Sequence, residues 1–504
     1  MASNSTTLYP SSGYGYTLYC GFSEESLTET QITSNKTKIN ANGYIKANGT
    51  YWSTSYVSSL VLYWHDNKNN TDVEIARNEF KGFSSTSDSK SVSASFEIEH
   101  KSDGTLSGYV WIQFNKGSTT SVYAPASGSV ATALTALTTI PRATKLSNKT
   151  GTIGNAMSIT WSKASSAFTH KLTYKFSTAS GTIGTNLTDG VEWTPPESFY
   201  ELIKSSAKGE GTLYLTTYNG STQIGDTQTA TLTIYPDEDE SNPVITEKSI
   251  RDENATTKAL TGDLSVLVLH NSLAFITLVF NTRKYATAKS VTVNGVAMEI
   301  SEGTLQSDEM TTQYVVQQDV GKATSATFKI KITDSRGFVK EDTITADIVN
   351  YIPLDCNAKI RRTNPTTGEI SLEFEGNYFN ASFGDANNSL SVSYAYKKKS
   401  DTSYSSEVIL VKDTNYKISS NAYYSGVGSS KTEIVLDDLM DYKNEYNVVL
   451  YIEDALTKLI VNLDVLKGIP IIWWNGEAFH INGDVYVADE NGENATLVFT
   501  TIDI

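Results

Sequence analysis

Aromatic residues set among small polar ones are the groups in this sequence best suited to chemistry. The stretch NGTYWSTSY, residues 48–56, places Tyr51, Trp52 and Tyr56 beside Asn, Ser and Thr. An exposed ring can stack on the face of a sugar while neighbouring amides and hydroxyls bond the sugar hydroxyls. Because β-sheets favour Tyr and Trp, the same rings can instead be core or edge-strand residues. As a set, they are the best candidate for a carbohydrate-binding surface. Tyr14 and Tyr16 lie in a similar Gly/Ser-rich stretch, SSGYGYT.

A second aromatic group lies in GIPIIWWNGEAFHINGDVYV, residues 468–487. Neighbours in an extended strand point to opposite faces, so the adjacent tryptophans need cover on both sides. EAFHI, Asn482-Gly483 and DVYV have the pattern of a hairpin, and so short a meander cannot bury both faces alone. One interpretation is that copies of this cap cover one face around a three-fold axis, and the other is that both rings pack within one subunit. The candidate oligomer interface consists of Trp473, Trp474, Phe479 and Tyr486.

Catalytic and metal-binding patterns are missing from the sequence. The five histidines are scattered without metal-ligand spacing, and there is no G-x-S-x-G, Walker loop or G-x-G-x-x-G after a strand. We therefore expect no enzymatic activity, no cofactor and no resident metal. The acidic linker PDEDESNP, residues 236–243, can be a calcium site through Asp237, Asp239 and Glu240, or simply a solvated linker.

Charge and cysteine content limit the partners and the compartment. The net charge is −16 with a pI near 4.9, which disfavours binding to nucleic acid or to anionic membrane surfaces. No window is apolar enough to span a membrane, and the first residues do not read as a signal peptide. With only two cysteines, Cys20 and Cys356, synthesis in a reducing cytoplasm is expected.

Period-two alternation dominates the chain. SVSASFEIEH (91–100), TATLTIYP (229–236) and ATFKIKITDSRG (326–337) put apolar residues on one face and polar residues on the other. One short helix or turn is predicted within 195–206, and DSRG at 334–337 is predicted to be a tight turn rather than a recognition loop. The fold class is all-β.

Strands that run into Ile-Pro or Tyr-Pro recur at intervals of about 100 residues, the size of an immunoglobulin-like sandwich. They predict tandem β-sandwich (immunoglobulin-like) domains followed by a short C-terminal β-meander cap. The predicted boundaries are an N-terminal sandwich over 1–141, further sandwiches over 142–236, 237–353 and 354–467, and the cap over 468–504.

Several short motifs occur in a specific order: TTIPRATKL (138–146), TYNGSTQIGD (217–226), ITDSRGFVKEDTITADIVNYIP (332–353) and FNASFGDANNSLSVSYAYKKKS (379–400). In this order they resemble a minor tail protein family of siphophages that infect streptococci and related Gram-positive bacteria, a family long catalogued as of unknown function. The resemblance implies a virion structural component at the tail tip or in a fibre, with a role in adsorption. It brings no catalytic residues.

The expected function is a bacteriophage tail protein that binds host surface carbohydrate. Its expected partners are other phage virion proteins, cell-wall or surface polysaccharide, and further copies of itself, with a trimer favoured. The alternatives are a purely structural virion or head-fibre protein without receptor binding, and a virion-bound glycan hydrolase. A bacterial surface adhesin would need a secretion signal and an LPxTG tail, and neither is seen.

Overall fold

The computed structural model of the chain describes residues 1–363, 368–436 and 440–468, with the backbone of two short strands at 472–474 and 479–481. Strands account for 55% of the residues and helices for 5%, so the predicted all-β class is confirmed. The chain divides into two compact units. The first comprises Met1–Ser241 with Lys284–Ala286 and Ser335–Phe338, and the second comprises the remainder.

The first sandwich of the first unit consists of two antiparallel sheets, β1-β2-β3-β6 and β5-β4-β7-β8, with β9 paired to β7. Alternation explains the core, because Val110, Ile112 and Phe114 on β7 are buried while the residues between them face outward. The elements are β1 (Ala2–Leu8), β2 (Tyr16–Glu24), α1 (Glu29–Ser34), β3 (Lys36–Ala47), β4 (Ser53–Asp66), β5 (Thr71–Gly82), β6 (Ser89–Glu99), β7 (Ser107–Asn115), β8 (Gly128–Ala131) and β9 (Thr135–Ala136).

The second core of this unit lies between a five-stranded sheet, β10-β16-β15-β12-β13, and the pair β11-β14. The helix predicted within 195–206 is confirmed as α2. The elements are β10 (Lys149–Thr152), β11 (Met157–Thr160), β12 (Phe168–Phe176), β13 (Ala179–Leu187), β14 (Gly190–Trp193), α2 (Phe199–Leu202), β15 (Gly209–Asn219), β16 (Thr222–Tyr235) and α3 (Glu238–Ser241).

The last three residues of the DSRG stretch, Ser335, Arg336 and Gly337, belong to the first unit and have a structural role. Gly337 adopts a φ of 95°, which confirms the predicted tight turn. The Arg336 side chain is 5% exposed and donates hydrogen bonds to the carbonyls of Ile203 and Tyr200, each at 3.2 Å, and to the carbonyl of Lys284. Buried in this way, the guanidinium satisfies backbone acceptors near the end of α2.

The second unit begins with sheets β17-β19-β23-β22 and β21-β20-β24-β25 and the pair β18-β26. Its elements here are β17 (Val244–Asp252), α4 (Ala255–Thr261), β18 (Val266–Val268), β19 (Leu273–Thr282), β20 (Ala288–Val293), β21 (Val296–Ala297), β22 (Thr304–Leu305), β23 (Thr312–Lys322), β24 (Thr327–Asp334), β25 (Val339–Thr345) and β26 (Asp347–Val349).

The remaining sheets of the second unit are β27-β28-β32-β31, with β33 on β28, and β30-β29-β34-β35. Their strands are β27 (Asn357–Arg362), β28 (Ile370–Asn377), β29 (Ser391–Lys398), β30 (Val408–Leu410), β31 (Tyr416–Ser419), β32 (Ala422–Ser425), β33 (Ile434–Leu436), β34 (Tyr446–Glu453) and β35 (Lys458–Val465). The Tyr351 hydroxyl donates to the buried Asp454 carboxylate at 2.9 Å, and Asn388 donates to the same carboxylate at 3.0 Å. This network ties the segment after β26 to the loop after β34.

Each of the four large core clusters draws its buried residues from one predicted segment: 16–137, 153–234, 267–346 and 354–465. The domain boundaries themselves, near 141, 236, 353 and 467, stay predictions. Near the C-terminus, β36 (Ile472–Trp474) pairs antiparallel with β37 (Phe479–Ile481). The predicted turn at Asn482-Gly483 lies outside the described residues.

Candidate functional site

Four loops meet at one end of the first sandwich. They comprise residues 9–14, 48–57, 83–88 and 117–126, and we call this surface the loop end. Hydrogen bonds connect the segments: Ser12 N donates to Val122 O at 2.9 Å, Gly49 N donates to Thr86 O at 2.9 Å, and Tyr14 N donates to the Thr50 hydroxyl at 2.5 Å. The loop end is therefore a continuous surface supported by both sheets.

Trp52 is the part of the predicted carbohydrate site that the structure contradicts. Its side chain is 2% exposed, and its ring packs against Phe83, Tyr16 and Phe114 with centroids 4.8, 5.4 and 6.1 Å apart. Placing Trp52 on the binding surface was wrong, because the ring fills the core beneath the loops and offers no face to a ligand. Tyr16, also in the core, has its pKa raised to about 12 by burial.

Tyr51 and Tyr56 do lie on the surface: Tyr51 is 48% exposed and Tyr56 is 52% exposed. The register of β4 against β5 shifts between Ser53 and Ser58, so residues 54–57 bulge out of the ladder and carry Tyr56 outward. The adjacent Tyr51 and Trp52 differ in burial because only one of two neighbouring side chains can enter the core.

Three further tyrosines complete the surface. Tyr9, Tyr14 and Tyr123 are 69%, 70% and 48% exposed. The sequence reasoning missed Tyr9, which directly precedes Pro10, and Tyr123, which lies two residues before Pro125. The bridge between Pro10 and Pro125 brings their segments together. Within the described chain, none of the five exposed rings pairs with another aromatic ring, although the rings of Tyr9 and Tyr14 lie against Gly15 and Gly49.

The loop end carries almost no charge. Its only charged residue is Asp88, whose carboxylate accepts hydrogen bonds from Ser84 N and Oγ at 2.8 and 2.9 Å and pairs with Lys90 at 2.9 Å. Burial acts to raise the pKa of Asp88, but the bonds from Ser84 and the Lys90 ammonium outweigh it and lower the pKa to about 2. This carboxylate is ionised at neutral pH and already fully engaged.

A second aromatic array lies on the outer face of the β5-β4-β7-β8 sheet. Tyr63 stacks on Trp111 with centroids 4.2 Å apart, and His65 stacks on Tyr109 at 4.5 Å. The Asp72 carboxylate accepts a hydrogen bond from Trp111 Nε1 at 2.8 Å. Because these rings cover one another across neighbouring strands, they act chiefly as cross-strand pairs that stabilise the sheet.

The remaining candidates are the C-terminal aromatic residues and the acidic linker. Side chains of Trp473, Trp474 and Phe479, and all of Tyr486, lie outside the described residues, so the oligomer interface stays a prediction. The acidic linker forms helix α3, and its Glu240 pairs with Lys284 at 2.8 Å. Across the described ranges, no group of three or more His, Cys, Asp or Glu side chains could hold a metal ion.

No helix in the described part of the chain is long and apolar enough to cross a membrane. Among solved structures, the chain is similar to the FN1–FN3 domains of chicken CNTN1, at 7% identity over 89% of this chain and 97% of that one, with a TM-score of 0.17. It is also similar to the Ig1–Ig3 ectodomain of mouse nectin-like molecule 4, at 9% identity over 64% and 95%, with a TM-score of 0.24. Scores this low say nothing about function.

No curated protein matches the sequence. The motif order that suggested a siphophage protein is confirmed by a family match that spans three of the four core clusters and reaches into the first. The family is described as siphovirus protein of unknown function (DUF859) and matches residues 81–465, so the chain belongs to this family.

Proposed function

We propose that this protein is a structural component of the siphophage tail, at the tip or in a fibre, and that it binds host surface carbohydrate through the loop end. Membership of a siphovirus family implies a place in the virion. The observation that supports a binding role is the group of five exposed tyrosines on one rigid end of the first sandwich.

The chemistry of this surface suits carbohydrate. Tyrosine supplies a large amphipathic ring at low conformational cost, and Ser, Thr, Gly and Asn supply adaptable hydrogen bonds, as they do in antibody binding loops. The loops are held on a packed core by Trp52 and Phe83, whose backbones are joined by a 2.7 Å hydrogen bond from Phe83 N to Trp52 O. A ligand would therefore meet a preformed surface, which reduces the entropy lost on binding.

Binding to purified host wall polysaccharide tests the proposal. The double variant Tyr51→Ala/Tyr56→Ala removes two exposed rings without touching the core. If each ring contributes about 1 kcal/mol, the affinity should fall roughly thirty-fold. Tyr235→Ala is the matched control, because Tyr235 is 42% exposed on the second sandwich and should leave binding unchanged. Unchanged affinity in the double variant would contradict a site at the loop end.

We further propose that the protein binds glycan without cleaving it. Glycoside hydrolysis usually needs two carboxyl groups in one cleft, whereas the loop end has only Asp88, whose carboxylate is bonded to Ser84 and paired with Lys90. Incubation with wall polysaccharide should release no reducing ends. Their steady release by the purified chain would favour the hydrolase alternative.

Self-association through the C-terminal segment is also proposed, on the sequence alone. Sedimentation of the intact chain should show an oligomer, with a trimer favoured, and a chain ending at Lys467 should be smaller by more than the deleted mass. A monomeric intact chain at micromolar concentration would contradict this part of the proposal.

A further inference from the structure

We propose that the carbohydrate bound at the loop end is an electrically neutral polysaccharide, and that wall polymers bearing phosphate or carboxylate groups are not bound there. This inference rests on the proposed function and specifies its ligand class. It follows from the charges at the loop end and from the groups that remain to make contacts.

The loop end has no cation with which to pair an anionic polymer. Residues 9–14, 48–57, 83–88 and 117–126 contain no Lys, Arg or His. Phosphate and carboxylate recognition normally uses Arg or Lys, or backbone amides at the start of a helix, and all four segments are loop, turn or strand. A polyanion would also approach a chain whose net charge is −16.

The one charged side chain of the surface adds to this selectivity. The carboxylate of Asp88 is already bonded to Ser84 and paired with Lys90 at 2.9 Å. Lys90 is thus committed to Asp88, and its ammonium lies 5.9 Å from the centroid of the Phe83 ring. The Lys90 ammonium therefore offers no free positive charge to a ligand.

The surface can make contacts between uncharged groups, namely ring stacking and hydrogen bonds. Exposed hydroxyl-bearing residues such as Ser11, Ser12 and Thr120 lie in the same segments as the tyrosine rings. Ring stacking and hydrogen bonds between uncharged groups are insensitive to ionic strength, whereas contacts between exposed charges are screened beyond a Debye length. Binding at the loop end should therefore persist at high salt.

Two lysines give a decisive comparison. Lys81 lies two residues before the 83–88 segment, and Lys116 directly precedes the 117–126 segment. An anionic polymer at the loops would have to act through such neighbouring cations; the others within two residues of a segment are Lys46 and Lys90, and Lys90 is paired with Asp88. The variant Lys81→Gln/Lys116→Gln removes both charges and keeps long polar side chains, while Tyr51→Ala/Tyr56→Ala removes rings and keeps both charges.

The experiment titrates the intact chain and both double variants with a neutral wall polysaccharide and with a phosphate-bearing teichoic acid. Each titration is made in about 0.05 M and about 0.5 M NaCl, a range over which screening changes strongly. We expect the neutral polymer to bind with the same affinity, within about two-fold, at both salt concentrations. We expect the tyrosine variant to lose roughly thirty-fold in affinity and the lysine variant to match the native chain.

Binding of the teichoic acid that weakens with salt and is lost in both double variants would overturn the neutral-ligand inference while leaving carbohydrate binding at the loop end intact. Binding of the neutral polymer that is unaffected by the tyrosine variant would instead overturn the placement of the site in the proposed function. If neither polymer binds the intact chain, both the inference and the proposed function are overturned.

Discussion

Replacing Trp52 with Ala should damage the core of the first sandwich far more than replacing its exposed neighbour. The indole contacts three aromatic rings within 6.1 Å and is 2% exposed. Truncating a buried Trp to Ala typically costs about 3–5 kcal/mol of folding free energy. Tyr56→Ala, at a residue 52% exposed, should change stability by no more than about 0.5 kcal/mol.

Hydrogen exchange on the intact chain measures this difference locally. If amides of β2 and β7 exchange by opening of the first sandwich, a loss of about 3–5 kcal/mol accelerates them roughly a hundred- to several-thousand-fold. Amides of β19, in the second unit, are the internal control and should be unchanged. Equal exchange rates in β2 for Trp52→Ala and Tyr56→Ala would refute the assignment of Trp52 to the core.

Trp52→Phe separates loss of volume from loss of polarity. Among the described residues, Trp52 Nε1 has no hydrogen-bond partner, so a phenyl ring sacrifices no hydrogen bond. Only the smaller ring volume counts, and we expect a cost of about 1–2 kcal/mol. A cost as large as that of Trp52→Ala would show that the indole nitrogen makes an important contact.

Three further outcomes follow from buried groups. Arg336→Ala removes the 3.2 Å hydrogen bonds to the carbonyls of Ile203 and Tyr200. Each carbonyl keeps a backbone donor, so we expect a lower melting temperature with a total cost of about 1–3 kcal/mol, and unchanged polysaccharide binding. Tyr351→Phe removes a 2.9 Å hydrogen bond to a buried carboxylate and should lower the urea midpoint by an amount equivalent to about 1–3 kcal/mol. Burial raises the pKa of Cys356 to about 11, so at pH 8 this partly exposed thiol should alkylate roughly a hundred-fold more slowly in the folded chain than in the unfolded chain. Cys20 is 0% exposed and should react more slowly still, and labelling of either thiol at the unfolded rate at pH 8 would contradict this.

The fold class could be predicted from the sequence because period-two alternation is a local signal. In a strand such as β7, the alternation of apolar and polar side chains indicates which face is buried. The tight turn at DSRG was equally local, since glycine supplies the positive φ that the turn needs.

The site could be predicted only in part, because its assembly is not local. Within NGTYWSTSY the sequence cannot tell which ring turns inward, since the bulge between Ser53 and Ser58 breaks the alternation that would assign faces. Tyr9 and Tyr123 join the surface only through the pairing of distant segments at Pro10 and Pro125. The composition of the sequence identified one aromatic and polar loop as a candidate. The other loops of the surface could be recognised only from the topology of the two sheets.

Competition for phage adsorption tests most directly whether the loop end contacts the host surface. Host cells are preincubated with the purified intact chain or with its Tyr51→Ala/Tyr56→Ala variant, and adsorption of the phage that encodes the protein is then counted. The native chain should block adsorption in proportion to its concentration, and the variant should need roughly thirty-fold more protein for the same block. A folded native chain that leaves adsorption unchanged, or a variant that blocks equally well, would contradict receptor binding at the loop end.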